Sequence, residues 1–497
     1  MSAGLILAID QGTTNTKALL VGCSGEPVFR AASPVPLLSL QNGFVEQDPL
    51  LLWESVTKVI AECRRYAEQA GTGIEGLAIS NQRETALAWN AETGEPPANA
   101  ISWQCGRSAE ICDRLSSMAP EIRSKTGLPL APLITAGKWA WLLEHNPSVR
   151  AIAATGQLRL GTVDSWIVYK LTGGLTHATD FSNASRTGLL NLDRLAWDEE
   201  LLAAFGLPLS AMPELRSSSG SFGVCNAIPE LDGVPILAAI GDSHAAMFGH
   251  GHYAAGTVKA TYGTGSSLMA LTASLAPESL SLARTIAWSI NGQTQFAMEG
   301  NIAMTGSAVQ WIGEFLHLPN PTPDTVALAA TVPNANGVYF VPAMVGLGAP
   351  HWDAEARGTI AGLGRSHHAA HLARAAIDAI AYQVADVFFA IEGAADITIH
   401  ELHTDGGATR NAELMQFQAD ILGRTVLRSS NEDLSALGAA RLAGLALGWW
   451  RSLTEIEALP RRADRFTPSL DPAERQHLYG GWKNAVRRAR LTPETAA

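Results

Sequence analysis

Leu5-Ile6-Leu7-Ala8-Ile9-Asp10-Gln11-Gly12-Thr13-Thr14-Asn15-Thr16-Lys17 runs from a continuously apolar segment into a polar turn. A short apolar run of this kind is what a strand buried on both faces requires. Gln11 to Asn15 carries turn chemistry and Ala18 to Val21 is apolar again, so the chain opens on a β-hairpin with a Gly/Thr turn. The pattern returns at Val258-Lys-Ala-Thr-Tyr, then Gly263-Thr264-Gly265-Ser266-Ser267, then Leu268-Met-Ala-Leu. The turn glycines Gly12 and Gly263 lie 251 residues apart in a chain of 497. This spacing predicts a duplicated architecture of two α/β domains, 1–246 and 247–497, each opening on such a hairpin. The junction falls in the glycine-rich stretch 246–256.

Composition narrows the function. Lys plus Arg total 35 and Asp plus Glu 47, a net charge of −12 without basic clusters. Such a chain is poorly suited to nucleic acid or an anionic membrane surface. The five cysteines, Cys23, Cys63, Cys105, Cys112 and Cys225, form no CxxC pair and read as reduced thiols of a cytoplasmic protein. The start MSAGLILAIDQG has no basic flank, and its apolar run ends at Asp10, too short for a leader or a membrane span.

Several stretches suit anion or polyol chemistry. The first turn offers backbone N–H groups, hydroxyls and the cation Lys17 to a phosphate, while Asp10 at the strand end suits a metal. Thr264 sits in the second turn, and Gly406-Gly407 with Asn411 forms a third glycine turn. No GxxxxGK[ST] loop occurs. Asp242 follows the apolar run Val234 to Ile240, where α/β folds place an active-site carboxylate, and it also suits a helix N-terminus. Arg83, Glu84 and Trp103 combine a fork of donors, an acceptor and a flat wall; the plainer reading is a surface ion pair and a core tryptophan. His367, His368 and His371 read as a solvated helical face, and Trp449-Trp450 as packing. Helices are expected from Leu372 to Ala390 and over the small-residue run Ser435 to Gly444, which predicts a tight helix crossing.

Taken together, AIDQGTTNTKALL, ISNQRETALAW, AISWQCGRSAEIC, TVDSWIVYKLTGG, TYGTGSS, NGVYFVPAMVGLGAPHWDAEARG and DGGATRNAELMQFQADILG resemble the FGGY carbohydrate kinases, and among them the glycerol kinases. The resemblance runs nearly end to end. It implies two RNase H-like, actin-type domains around a cleft, ATP and Mg²⁺ as cofactors, a small polyol or sugar as substrate, and a homo-oligomer, dimer or tetramer. It places Asp10 near the metal, and Thr13, Thr14, Asn15, Lys17 and Thr264 at the ATP phosphates. Gly306, Gln310, Gly407 and Asn411 match nucleotide contacts. Arg83, Glu84, Trp103 and Asp242 match the polyol site, with Asp242 as the base that accepts the hydroxyl proton. A pentulose or tetritol kinase and a non-catalytic actin-like sensor are the alternatives.

Three positions depart from the resembled pattern. Leu133 stands where the glycerol kinases usually carry Tyr, Ser243 where they carry Gln, and Ser267 where a Phe is common. Smaller side chains and an added hydroxyl predict a widened pocket that prefers a four- or five-carbon polyol or ketose over glycerol.

Overall fold

A computed structural model describes residues 4–40 and 43–490; Met1 to Ala3, on which the reading of the N-terminus partly rests, lie outside it. A five-stranded sheet carries the first half, in spatial order Ile236–Gly241, Ile74–Asn81, Leu5–Gln11, Asn15–Val21 and Pro27–Pro34. A seven-stranded sheet carries the second, in the order Ala283–Ile290, Gln293–Ile302, Ser266–Thr272, Val258–Tyr262, Glu401–Asp405, Thr425–Ser429 and Ala463–Phe466. In each, an antiparallel hairpin has a parallel strand beside its first arm: Ile74–Asn81 next to Leu5–Gln11, and Glu401–Asp405 next to Val258–Tyr262. The duplication expected from the two turns is therefore a duplication of sheet topology.

The reasons are local. Leu5 through Ile9 are buried, as their unbroken apolarity demands. Helix Pro49–Gln69 covers one face of the first hairpin; Asp48 caps it by accepting from the Leu50 N–H at 2.8 Å, and proline fills its first position. Its Leu52, Val56, Val59 and Ile60 join the sheet's Leu7, Ile9 and Leu20 in one core. The long helix of the second half spans Ala369–Ala395, longer at both ends than its periodicity suggests. His368 and His371 close a capping box at its start, and no group of three or more His, Cys, Asp or Glu among the described residues is placed to hold a metal.

The halves meet where helix Asp242–His250 crosses helix Leu434–Leu447. Gly249 and Gly438 make the crossing possible, because a side chain on either would overlap the backbone of Leu434 or Ala245. Trp450 packs into the same region, its ring over Gly444. The expected small-residue crossing is thus present. All five cysteines are free, and four are buried. No helix among the described residues is long and apolar enough to cross a membrane.

Candidate active site

The two hairpin turns differ in how they are held. In the first, Gly12 N–H donates to the Asn15 carbonyl at 2.9 Å, and side chains from elsewhere pin the loop. The Gln47 amide donates to the Thr13 carbonyl at 2.8 Å and the Trp103 indole N–H to Thr13 Oγ1 at 2.9 Å. Thr14 and Asn15 remain exposed. In the second, the N–H groups of Thr305 and Ser307 donate to the Thr264 carbonyl, and that of Gly306 to the Gly263 carbonyl, at 3.0 to 3.1 Å. The turn therefore sits on the N-terminus of helix Gly306–Phe315. A Cβ at Gly306 would lie 2.6 Å from the Gly263 carbonyl oxygen, which fixes that position as glycine. Exposed N–H groups and hydroxyls on both turns form a cradle for an anion.

The sheet pairing places the charges. Asp10 lies opposite Lys17 across the hairpin and accepts from Ser80 Oγ at 2.9 Å. Burial, with the Asp242 carboxylate nearby, pushes its pKa up to about 6. Lys17 Nζ is 2.9 Å from Asp433, which also holds Arg30. Lys17 faces a cleft of about 520 Å³ together with Gly406, Gly407 and Thr409. Asn411 caps helix Ala412–Leu422 through its side-chain oxygen and lines a separate small cavity of about 150 Å³ with Val326, Ile377 and Asp378. Gln310 donates to Glu314 on the exposed face of its own helix at 2.8 Å. Of the expected nucleotide positions, Lys17 and Gly407 line this cleft and Asn411 lines the separate cavity, while Lys17, Gln310 and Asn411 each already have a partner within the protein.

Asp242 sits where the parallel strand Ile236–Gly241 ends and a helix begins. Its Oδ1 accepts from the Ser243 N–H at 2.6 Å and faces Arg83 Nε at 3.4 Å, and 39% of its side chain stays accessible. Burial of its surroundings raises its pKa, which Arg83 opposes. Such a carboxylate is a stronger proton acceptor than a solvated one.

Arg83 and Glu84 are not a surface pair. Both are buried, and the Arg83 fork grips Glu299 at 2.8 and 3.1 Å. Arg186 binds the same Glu299 at 3.0 Å and holds the Glu84 carboxylate at 2.7 Å. The two guanidinium groups hold the Glu299 carboxyl well below its ordinary range despite complete burial. This network joins the halves, since Glu299 belongs to the second sheet while Arg83 and Arg186 belong to the first half. Beside it, Ser267 Oγ donates to Glu299 at 2.9 Å, Ser243 and Ser267 lie 3.3 Å apart, and Lys259 Nζ donates to Ser243 Oγ at 2.7 Å. The space that the small serine leaves free is therefore met by the buried Lys259 ammonium. His244 points away from it, toward Thr285 at 3.2 Å. Leu133 is half-buried, and its carbonyl accepts from Lys138 Nζ.

Glu299, Arg186, Lys259 and Asp433 escape the sequence reading. Glu299 and Lys259 carry the one usable signal, a single charge inside an apolar strand, in Ala-Met-Glu299-Gly and Val-Lys259-Ala.

Known proteins share this two-sheet architecture. The N-terminal domain model of the FGGY family of carbohydrate kinases matches residues 5–249, and its C-terminal domain model matches residues 258–447. A glycerol kinase of Symbiobacterium thermophilum and one of Paraburkholderia xenovorans are each 44% identical to the chain over 493 residues, covering 99% of both sequences. The crystal structure of Plasmodium falciparum glycerol kinase with ADP superposes with a TM-score of 0.93 at 31% identity, covering 99% of each chain.

Proposed function

Because the chain belongs to the FGGY family of carbohydrate kinases, we propose that it transfers the γ-phosphoryl group of ATP to a primary hydroxyl of a short polyol, with glycerol as the reference acceptor. The observation that carries this reading is Asp242, a partly accessible carboxylate of raised proton affinity beside Arg83 and Asp10. Asp242 accepts the hydroxyl proton as the oxygen attacks phosphorus. The exposed Thr14, Asn15 and Thr264 offer donors to the phosphate oxygens from both sides, spreading the charge that develops on them. The bridge from Glu299 to Arg83 and Arg186 holds the halves in register, which positions the acceptor and limits the water that competes with it.

Mg²⁺ fits the residues present. Asp10 and Asp242 are two neighbouring carboxylates, both raised in pKa, and Mg²⁺ is usually held by one or two carboxylates together with waters and substrate phosphates. Asp10 would hold the ion, which supplies neutralisation of phosphate charge when bound. The same family resemblance supports a homo-oligomer.

The test is ATP consumption with glycerol, erythritol, ribitol, xylulose and ribulose. Turnover with at least one is expected; turnover with none overturns the reading and favours a nucleotide-binding sensor. A second reading, preference for four- or five-carbon acceptors, is favoured by the adjacent hydroxyls of Ser243 and Ser267 and the Lys259 ammonium. It fails if kcat/KM for glycerol is tenfold or more above that for every larger acceptor.

A further inference from the structure

Residues 429–432 line the cleft that contains Lys17, and they also line a second, larger cavity of about 810 Å³. Its far walls come from the end of helix Asp242–His250, from helix Leu434–Leu447 and from residues 460–463. The phosphate turns, Asp242 and Arg83 do not line it.

Three arginines face this cavity: Arg441, Arg461 and Arg462. Arg441 is 2% exposed, donates through Nη1 to the Gly249 carbonyl at 2.5 Å, and has a buried Nε with no partner. Arg461 donates to the Ile456, Glu457 and Leu459 carbonyls, and its Nε is likewise buried and unpartnered. The loop is shaped around it: Gly251, at φ 71°, has no room for a Cβ beside the Arg461 guanidinium. Among the described residues no carboxylate lies within ion-pair distance of any of the three.

The acids nearby are mostly committed. Asp433 holds Lys17 and Arg30, and Glu432 holds Arg410, which leaves Glu26 as the lining carboxylate without an ion pair. Positive charge is therefore in excess. Burial and the neighbouring Arg461 lower the pKa of Arg441 to about 10, as expected of a charge that lacks its counterion. Three imidazoles complete the lining. His250 is fixed by Asp405 at 2.9 Å, His403 by Glu401 at 3.3 Å, and His252 stacks on His403 with ring centroids 4.4 Å apart.

We propose that this interdomain cavity is a second ligand site, separate from the catalytic cleft, that takes a phosphate-bearing small molecule. Guanidinium forks match phosphate oxygens; here Arg441 is buried and Arg461 half-buried, each with an unpartnered Nε, and Arg462 is exposed at the rim. The volume suits a small metabolite. The shared chemistry is the phosphoryl group, carried either by free phosphate or by a phosphorylated sugar.

Calorimetric titration of the full chain tests this, with the catalytic cleft filled by a non-hydrolysable ATP analogue. The titrants are inorganic phosphate and, separately, glucose 6-phosphate. Saturable binding of one or both is expected, with the tighter titrant identifying the source. Arg461→Gln should weaken it tenfold or more. Arg462→Ala, on the exposed rim and without buried bonds to lose, should weaken it at least threefold, and Thr264→Ala in the catalytic turn should leave it unchanged. No saturable binding of either titrant overturns the proposal. So does binding that the folded Arg462→Ala protein keeps within experimental error, or binding that Thr264→Ala abolishes.

Discussion

The turn at residues 12–15 and the turn at residues 263–265 share a backbone plan and divide the labour. The first is flanked by charge, with Asp10 two residues before its glycine and Lys17 five residues after. The matching positions in the second are Thr261 and Leu268. The first turn is held by long side chains, Gln47 and Trp103, that can adjust. The second is held by backbone bonds to a helix N-terminus, and neither Gly265 nor Gly306 has space for a Cβ. One arm of the cleft thus supplies charge on an adaptable loop, and the other a rigid cradle of N–H groups. The strand-turn-strand is repeated, and the flanking charge stands on one copy.

The contrast has meaning only while the two turns face each other, and Glu299 is the joint that most directly sets this. Glu299→Gln leaves two buried guanidinium groups without their shared counter-charge, and unfolding should become easier by about 3–5 kcal/mol. A denaturation midpoint unchanged from wild type would show that the halves are held by the helix crossing alone. Next comes rigidity. Gly306→Ala must displace the Gly263 carbonyl, costing about 1–3 kcal/mol of stability and raising the KM for ATP.

Asp10→Asn probes the charged turn through pH. The folded pKa of Asp10 is raised to about 6 from an ordinary 3.8, so the folded state binds protons more readily. The destabilisation this causes is full above pH 6 and is relieved as pH falls toward 4. Without added metal, Asp10→Asn should therefore be more stable than wild type at pH 7 by about 1–3 kcal/mol, with the gap closing by pH 4. A gap that stays constant with pH contradicts the buried carboxylate. Smallest is Thr14→Ala on the exposed first turn, which should change stability by less than about 0.5 kcal/mol while weakening ATP binding.

Much of this arrangement can be read from sequence because it is written in local signals. Gly12 and Gly263 mark turns, unbroken apolar runs mark buried strands, and the small residues around Gly438 mark a helix crossing. Asp242 is legible because the end of a strand and the start of a helix coincide there. What stays hidden is pairing at a distance. Arg83 looks like a surface residue until Glu299, 216 positions later, takes its fork. Lys17 looks free for phosphate until Asp433 arrives, 416 positions away. The pocket departures at Ser243 and Ser267 are visible, but the Lys259 ammonium that meets them is buried by tertiary packing that no local pattern encodes. His250, His252 and His403 likewise meet only in the fold.

Asp242 as the proton acceptor is the centre of the proposed chemistry, and single-turnover kinetics on Asp242→Asn probe it. The substitution keeps the acceptor of the Ser243 N–H and removes the base. ATP affinity should stay within about threefold of wild type while the rate of phosphoryl transfer falls by about 10²–10⁴. A transfer rate within tenfold of wild type, about 1.4 kcal/mol of barrier, would remove Asp242 from the role of base.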